Sequence, residues 1–219
     1  MRAAAFYAPE LGDPLWKAGC AWLGRDPETG ARLEQPASAV PVTAEAAMYG
    51  FHATLKPPMR LATSWDALLA DADRLAGEIA PFDLPPLAVA ELSEFLALRE
   101  TAPCPALQAL ADRCMEALDP HRAPASAEEL TRRRAGGLTP EREAMLVRWG
   151  YPAAFGTWRF HMTLSVRLDA AARAALRPEA ESWFGEALAV KRRVTSLCLF
   201  TQAAAGAPFM LAERLMLRG

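Results

Sequence analysis

Five residues, Phe-His-x-Thr-Leu, occur twice in this chain, as Phe51-His-Ala-Thr-Leu55 and as Phe160-His-Met-Thr-Leu164. The chain has three histidines, and two of them head this pattern. Side chains alternate between the faces of a strand. Read as a strand, the first copy places His52, Thr54 and Lys56 on one face, against Phe51, Ala53 and Leu55 on the other. The second copy sets Arg159, His161, Thr163, Ser165 and Arg167 against Phe160, Met162, Leu164 and Val166. Each strand then has an apolar side to bury and a side carrying an imidazole, a hydroxyl and a cation. A lone strand histidine is more often structural than catalytic, but a repeated pattern speaks for a duplicated half. Two such faces across a cleft supply an acid, a base and several donors for an anion, the equipment of phosphate-ester chemistry.

Composition limits the alternatives. A chain of 219 residues, 52% of them hydrophobic, can bury a sizeable core as one domain built of two lobes. A net charge of −2 gives no general attraction to nucleic acid or anionic membrane. Cys20, Cys104, Cys114 and Cys198 are scattered without Cys-x-x-Cys spacing, which favours free thiols in a reducing compartment over a disulfide scaffold or zinc site. The apolar run Ala3 to Ala8 is too short for a signal-peptide core, and no stretch approaches the roughly 20 apolar residues of a membrane span. The expectation is a cytoplasmic monomer without membrane partners, cofactor or metal.

Along the chain, a first strand is expected over Arg2–Ala8, then a helix with Asp13 as N-cap and Pro14 at its first position, ended by Gly24. Thr63 with Asp66 reads as a capping box for a helix reaching Ile79. Leu84–Glu91 and Glu94–Arg99 read as a strand pair around Leu92-Ser93, with Phe95, Ala97 and Arg99 on one face. A helix over Pro105–Leu118 is followed by a proline-rich loop that puts His121 at the surface. Residues 126–149 read as a helical insertion between the repeats, within a stretch of about 120–150. Arg132, Arg133 and Arg134 lie in it, as a solvated charge run or as a grip on a second substrate phosphate. Ala170–Leu188 is expected to be helical with a break at Pro178, and Val194–Gln202 and Phe209–Leu217 are expected as closing antiparallel strands. The fold class is α+β.

The candidates for catalysis are His52 and His161 as acid and base, with Thr54 and Thr163 as donors to the non-bridging oxygens. Lys56, Arg99, Arg133, Arg134 and Tyr49 are candidates for substrate binding, with Tyr7 a further candidate to line the groove.

Paired His-x-Thr-x motifs, here His52-Ala-Thr-Leu55 and His161-Met-Thr-Leu164, resemble those of the 2H phosphoesterase superfamily. The longer strings Tyr49–Pro58, Leu138-Thr-Pro with Arg148-Trp-Gly-Tyr-Pro152, and Arg159–Leu164 resemble its branch of phosphonate-metabolism proteins encoded beside carbon–phosphorus lyase genes. The resemblance implies a two-lobed, pseudo-symmetric fold with antiparallel sheets lining a central groove and helices outside. It also implies metal-independent hydrolysis of a cyclic phosphodiester on a small phosphorylated sugar, with 5-phosphoribosyl 1,2-cyclic phosphate the candidate. RNA 2′,3′-cyclic ends, and a non-catalytic phosphate sensor, are the alternatives. The near-neutral charge and lack of a basic-aromatic stripe weigh against an extended RNA site.

Overall fold

The computed structural model describes all 219 residues. Seven strands form one antiparallel sheet: β1 (Arg2–Tyr7), β2 (Ala53–Arg60), β4 (Leu87–Leu92), β5 (Phe95–Glu100), β6 (Met162–Thr163), β8 (Ser196–Gln202) and β9 (Met210–Met216), in the order β4-β5-β6-β2-β1-β8-β9. Two short strands, β3 (Phe82–Leu84) and β7 (Arg192–Val194), pair separately. Seven helices accompany them: α1 (Pro14–Leu23), α2 (Ala44–Ala47), α3 (Trp65–Gly77), α4 (Pro105–Ala117), α5 (Ala127–Arg134), α6 (Pro140–Trp149) and α7 (Ala170–Leu188). The two lobes are halves of the large sheet, β2-β1-β8-β9 and β4-β5-β6. They join where β2 meets β6, through a single registered pair, Ala53 with Met162. Each half carries one copy of the repeated motif.

The local chemistry of the elements accounts for most of their limits. Asp13 accepts the Leu15 amide and Pro14 sits in the first turn of α1, while Gly24 closes it at φ 72°. Gly19 of α1 is required by packing: a Cβ there would lie 2.2 Å from the Phe51 ring. Helix and motif therefore touch through a bare backbone, and the Phe51 side chain is fully buried. A core of 45 buried residues draws on both halves of the sheet and on α1, α3, α4 and α7. Helix α4 packs on β2, α3 on β8 and β9, and α7 on β4 and β5.

Four expectations change. The cap of α3 is Ser64, which accepts the Ala67 amide, and not Thr63. Thr63 instead hydrogen-bonds His121, which is buried and not at the surface: Thr63 Oγ1 lies 2.7 Å from its Nδ1 and Asp71 Oδ2 3.0 Å from its Nε2. Pro178 lies inside a continuous α7 instead of breaking it. The second motif is a strand for two residues only, and side chains take some of the main-chain groups beside it. The Trp22 indole donates to the Leu164 carbonyl at 2.8 Å, and the Ser165 hydroxyl accepts the Leu96 amide at 3.0 Å.

Candidate active site

The two motifs lie side by side at the middle of the sheet. Thr163 is in register with Ala97 of β5, and Thr54 with Phe6 of β1, so His52, Thr54, Phe6, His161, Thr163 and Ala97 share one face. Ala53 and Met162 point to the opposite, buried face.

Why a cavity opens here follows from the sheet's hydrogen bonds. Past Ala53 the carbonyl of Thr54 accepts from the Trp158 indole at 2.8 Å. On the other motif the Leu164 carbonyl accepts from Trp22. A tryptophan thus satisfies one carbonyl on each strand that would otherwise continue the ladder. The strands part without leaving these buried groups unpaired.

Each histidine is held the same way. Nδ1 of His52 lies 2.8 Å from the Gly50 carbonyl, and Nδ1 of His161 lies 2.8 Å from the Arg159 carbonyl. In both cases the acceptor is the carbonyl two residues upstream, so Nδ1–H donates and Nε2 carries the reactive lone pair. Gly50 can serve because its φ of 80° turns the chain sharply before the strand. Nε2 of His52 is 3.2 Å from Thr54 Oγ1, and its ring stacks on Phe6 with centroids 3.7 Å apart.

Burial lowers the pKa of both imidazoles. His52 falls to about 4 through loss of solvent, with the Gly50 carbonyl favouring its charged form and His161 opposing it. His161 is lowered by burial, supported in its charged form by the Arg159 carbonyl and Glu100 and opposed by Arg99. The charge of His161 therefore bears on His52.

Two adjoining compartments flank the motifs. One, about 240 Å³, is lined by Thr54, His161, Thr163, Arg142, Tyr151 and Arg159 among others. The other, about 160 Å³, is lined by His52, Tyr49, Glu45 and Ser165. Thr163 and Phe95 line both.

The structure brings His52, Thr54, His161, Thr163 and Tyr49 together at the cleft. The Tyr49 ring lies 6.2 Å from His52 and stacks on Phe209. Four expected cations are placed elsewhere. Lys56 turns to the opposite face, because Ala5 pairs with Lys56 and Phe6 with Thr54, leaving Leu55 as an extra, bulged residue. Its Nζ is buried against the Met115 carbonyl at 2.9 Å and Asp119 at 3.0 Å. Arg99 lines a neighbouring recess beside Glu100; that recess shares Trp158 and Arg159 with the larger cavity, so the Arg99 charge still bears on His161. Arg133 pairs with Glu129 and lies over the Tyr151 ring, and Arg134 pairs with Glu143. Tyr7 is buried on the reverse face near Phe160. Sequence reading did not single out Arg142 as a cleft residue, and its only signal was its place in the first turn behind Thr139-Pro140. No three His, Cys, Asp or Glu side chains gather into a group that could hold a metal ion. No helix is long and apolar enough to cross a membrane.

Residues 54–210 match the family described as "Protein of unknown function (DUF1045)". The chain belongs to that family. Two curated relatives are named ribose 1,5-bisphosphate phosphokinase PhnN. The one from Janthinobacterium sp. (strain Marseille) is 36% identical over 231 residues, covering 100% of this chain and 51% of that protein. The one from Laribacter hongkongensis (strain HLHK9) is 35% identical over 224 residues, covering 97% and 51%. The chain spans about half the length of these curated relatives. Among solved structures, E. coli LigT complexed with NADP+ overlays on 100% of this chain and 98% of its own, with 14% identity and a TM-score of 0.43. A crystallised phosphoesterase overlays on 100% and 98%, with 13% identity and a TM-score of 0.46.

Proposed function

We propose that this cleft hydrolyses a cyclic phosphodiester on a small phosphorylated ribose, without a metal ion, using His52 and His161 as an acid/base pair. The observation that carries the reading is the matched clamping of the two imidazoles through Nδ1, with His52 Nε2 3.2 Å from Thr54 Oγ1 and with His161 and Thr163 lining one cavity.

In the proposed reaction one imidazole takes a proton from water as the water oxygen bonds to phosphorus. The bond from phosphorus to one ring oxygen breaks, and the other histidine, as imidazolium, gives that oxygen its proton. The product is a phosphomonoester and a free hydroxyl, and the proton taken from water restores the pair for the opposite roles. Thr54 and Thr163 donate to the non-bridging oxygens as charge gathers there. Burial keeps both imidazoles neutral in the free protein at pH 7. An anionic substrate favours the imidazolium, so the acid is created as the substrate enters.

The candidate substrate is 5-phosphoribosyl 1,2-cyclic phosphate, opened to ribose 1,5-bisphosphate. The relatives' names support it, because ribose 1,5-bisphosphate is the compound on which a ribose 1,5-bisphosphate phosphokinase acts. The two adjoining cavities, about 240 and 160 Å³, pass only together the roughly 300 Å³ at which small-molecule sites begin, which suits a compact metabolite spanning both. The test is kcat/KM, with EDTA present, for 5-phosphoribosyl 1,2-cyclic phosphate, for ribose 1,2-cyclic phosphate, and for an oligoribonucleotide ending in a 2′,3′-cyclic phosphate. The first is expected to be preferred. An oligonucleotide preference that falls steeply with added salt makes this an RNA-end enzyme. Turnover lost to EDTA and restored by Zn²⁺ or Mn²⁺ overturns the two-histidine mechanism. Binding without turnover of any of the three makes it a sensor.

A further inference from the structure

We propose that Arg142 and Arg159, with the Tyr151 hydroxyl, form the seat of the substrate's second phosphate, and that the 126–153 segment is the specificity element of the cleft. This rests on the hydrolase reading and assigns that phosphate to different arginines from those the sequence suggests.

The first ground is the charge of the two compartments. The larger one is lined by Arg142, Arg159 and His161 and by no carboxylate. The smaller one is lined by Glu45 and by no lysine or arginine. A substrate with a dianionic group at one end is therefore oriented, with that group on the His161 side.

The second ground is which cations are free. Lys56 is held by Asp119 on the reverse face, Arg133 by Glu129 and Arg134 by Glu143. The Arg142 side chain makes no hydrogen bond or ion pair, although Arg142 lines the cavity; its backbone amide alone is engaged, with Thr139. Arg159 uses only Nη1, toward the carbonyls of Gly156 and Trp158 at 2.9 and 2.6 Å. Its other guanidinium nitrogens keep their donors. Two guanidinium groups with open donors match phosphate oxygens in the planar, paired geometry that a lysine lacks.

The third ground is how the segment delivers these groups. Arg142 is in the first turn of α6, and Tyr151 follows Gly150, which ends the helix at φ 69°. A residue from the first turn of this ten-residue helix, about 15 Å long, and one just past its end thus line the same cavity. Burial raises the Tyr151 pKa, with the Arg133 and Arg142 charges opposing, so its phenol stays protonated as a donor.

The experiment compares the wild type with Arg142→Gln, Arg159→Gln and Arg134→Gln. Turnover of 5-phosphoribosyl 1,2-cyclic phosphate and ribose 1,2-cyclic phosphate is measured alongside calorimetric binding of ribose 5-phosphate. For R142Q and R159Q, kcat/KM on the phosphorylated sugar should fall about 10- to 100-fold, the worth of a lost charge-assisted hydrogen bond. Turnover of the unphosphorylated sugar should change less than twofold, and R134Q should change neither. Affinity for ribose 5-phosphate should fall at least tenfold in R142Q. Equal losses on both sugars, or unchanged ribose 5-phosphate binding, overturn the seat. If no cyclic phosphate is turned over but R142Q still loses ribose 5-phosphate, the seat stands and the hydrolase reading falls. Arg142 is exposed and its side chain holds no structural partner, so R142Q should melt with the wild type.

Discussion

Lys56→Met and Asp119→Asn should damage stability by different amounts, and neither should touch catalysis. Lys56 is 1% exposed, and its ammonium is held by Asp119 Oδ1 at 3.0 Å and by the Met115 carbonyl at 2.9 Å. That carbonyl lies in the last turn of α4, where main-chain partners run out. Asp119 is also held by Arg122, through Nε at 2.8 Å and Nη2 at 3.1 Å. Replacing Lys56 with methionine keeps the apolar stem and leaves Asp119 paired, so the loss is one buried hydrogen bond at the carbonyl. That is about 2 kcal/mol, roughly 4–8 °C in melting temperature for a chain of this size. Asp119→Asn instead strands a buried ammonium, for which about 3–5 kcal/mol is expected. Burial already lowers the Lys56 pKa, and without Asp119 it falls further. The unfolded D119N chain then binds more protons than the folded one, so its stability rises with pH until Lys56 is neutral in both states. The assay is urea unfolding of both variants at pH 7 and 9, with kcat/KM measured beside it. A K56M protein of unchanged stability that loses tenfold or more in turnover would put Lys56 in the cleft and refute the bulge argument.

Other outcomes follow from the same structure. His52→Ala and His161→Ala should each lower kcat by about 10²–10⁴ in folded protein, and near-normal turnover in either removes that residue from the chemistry. Thr163→Val, at the boundary of both compartments, should lower kcat by roughly 10² with KM little changed, as read in steady-state kinetics. Binding of the anionic substrate at pH 7 should take up protons, because both imidazoles are neutral beforehand; calorimetry in buffers of different ionisation enthalpy measures this, and zero uptake contradicts it. The depressed His52 pKa contributes stability above pH 6.5 that is lost as pH falls toward 4, about 3 kcal/mol in full; His52→Gln should flatten that loss in urea titrations. Thr63→Val removes one of the two partners of buried His121 and should cost about 1–3 kcal/mol in unfolding experiments with catalysis intact.

The repeated motif made the centre of the site legible, because strand alternation is a local rule and the flanking residues obey it. His52 and Thr54 face the cleft, and Ala53 is buried behind them, as period-two reading requires. The same rule failed one step later at Lys56, since a bulge is set by how β1 and β2 pair and leaves no mark in the composition of either strand. The arginine run misled for a related reason. Arg133 and Arg134 sit in the last turn of α5, where Glu129 lies one turn back and Glu143 is brought over by α6, so their partners come from helix geometry and tertiary packing. His121 was misplaced because a proline-rich loop usually runs over the surface. Here the carboxylate of Asp71 and the hydroxyl of Thr63 satisfy its ring, and burial follows.

The single registered pair between β2 and β6 has a mechanical meaning. Neighbouring β1 and β8 share five registered pairs, and β4 and β5 share six. The two histidines thus ride on plates joined at the softest line of the sheet, and their separation is set less by main-chain bonds than by what lies between them. A ligand charged at both ends acts as a spacer that narrows the spread of separations, so the free protein should exchange the amide protons along this line faster than the loaded one. On the proposed reading, a substrate lacking its second charge should leave the plates loose, so that selectivity would lie partly in stiffness.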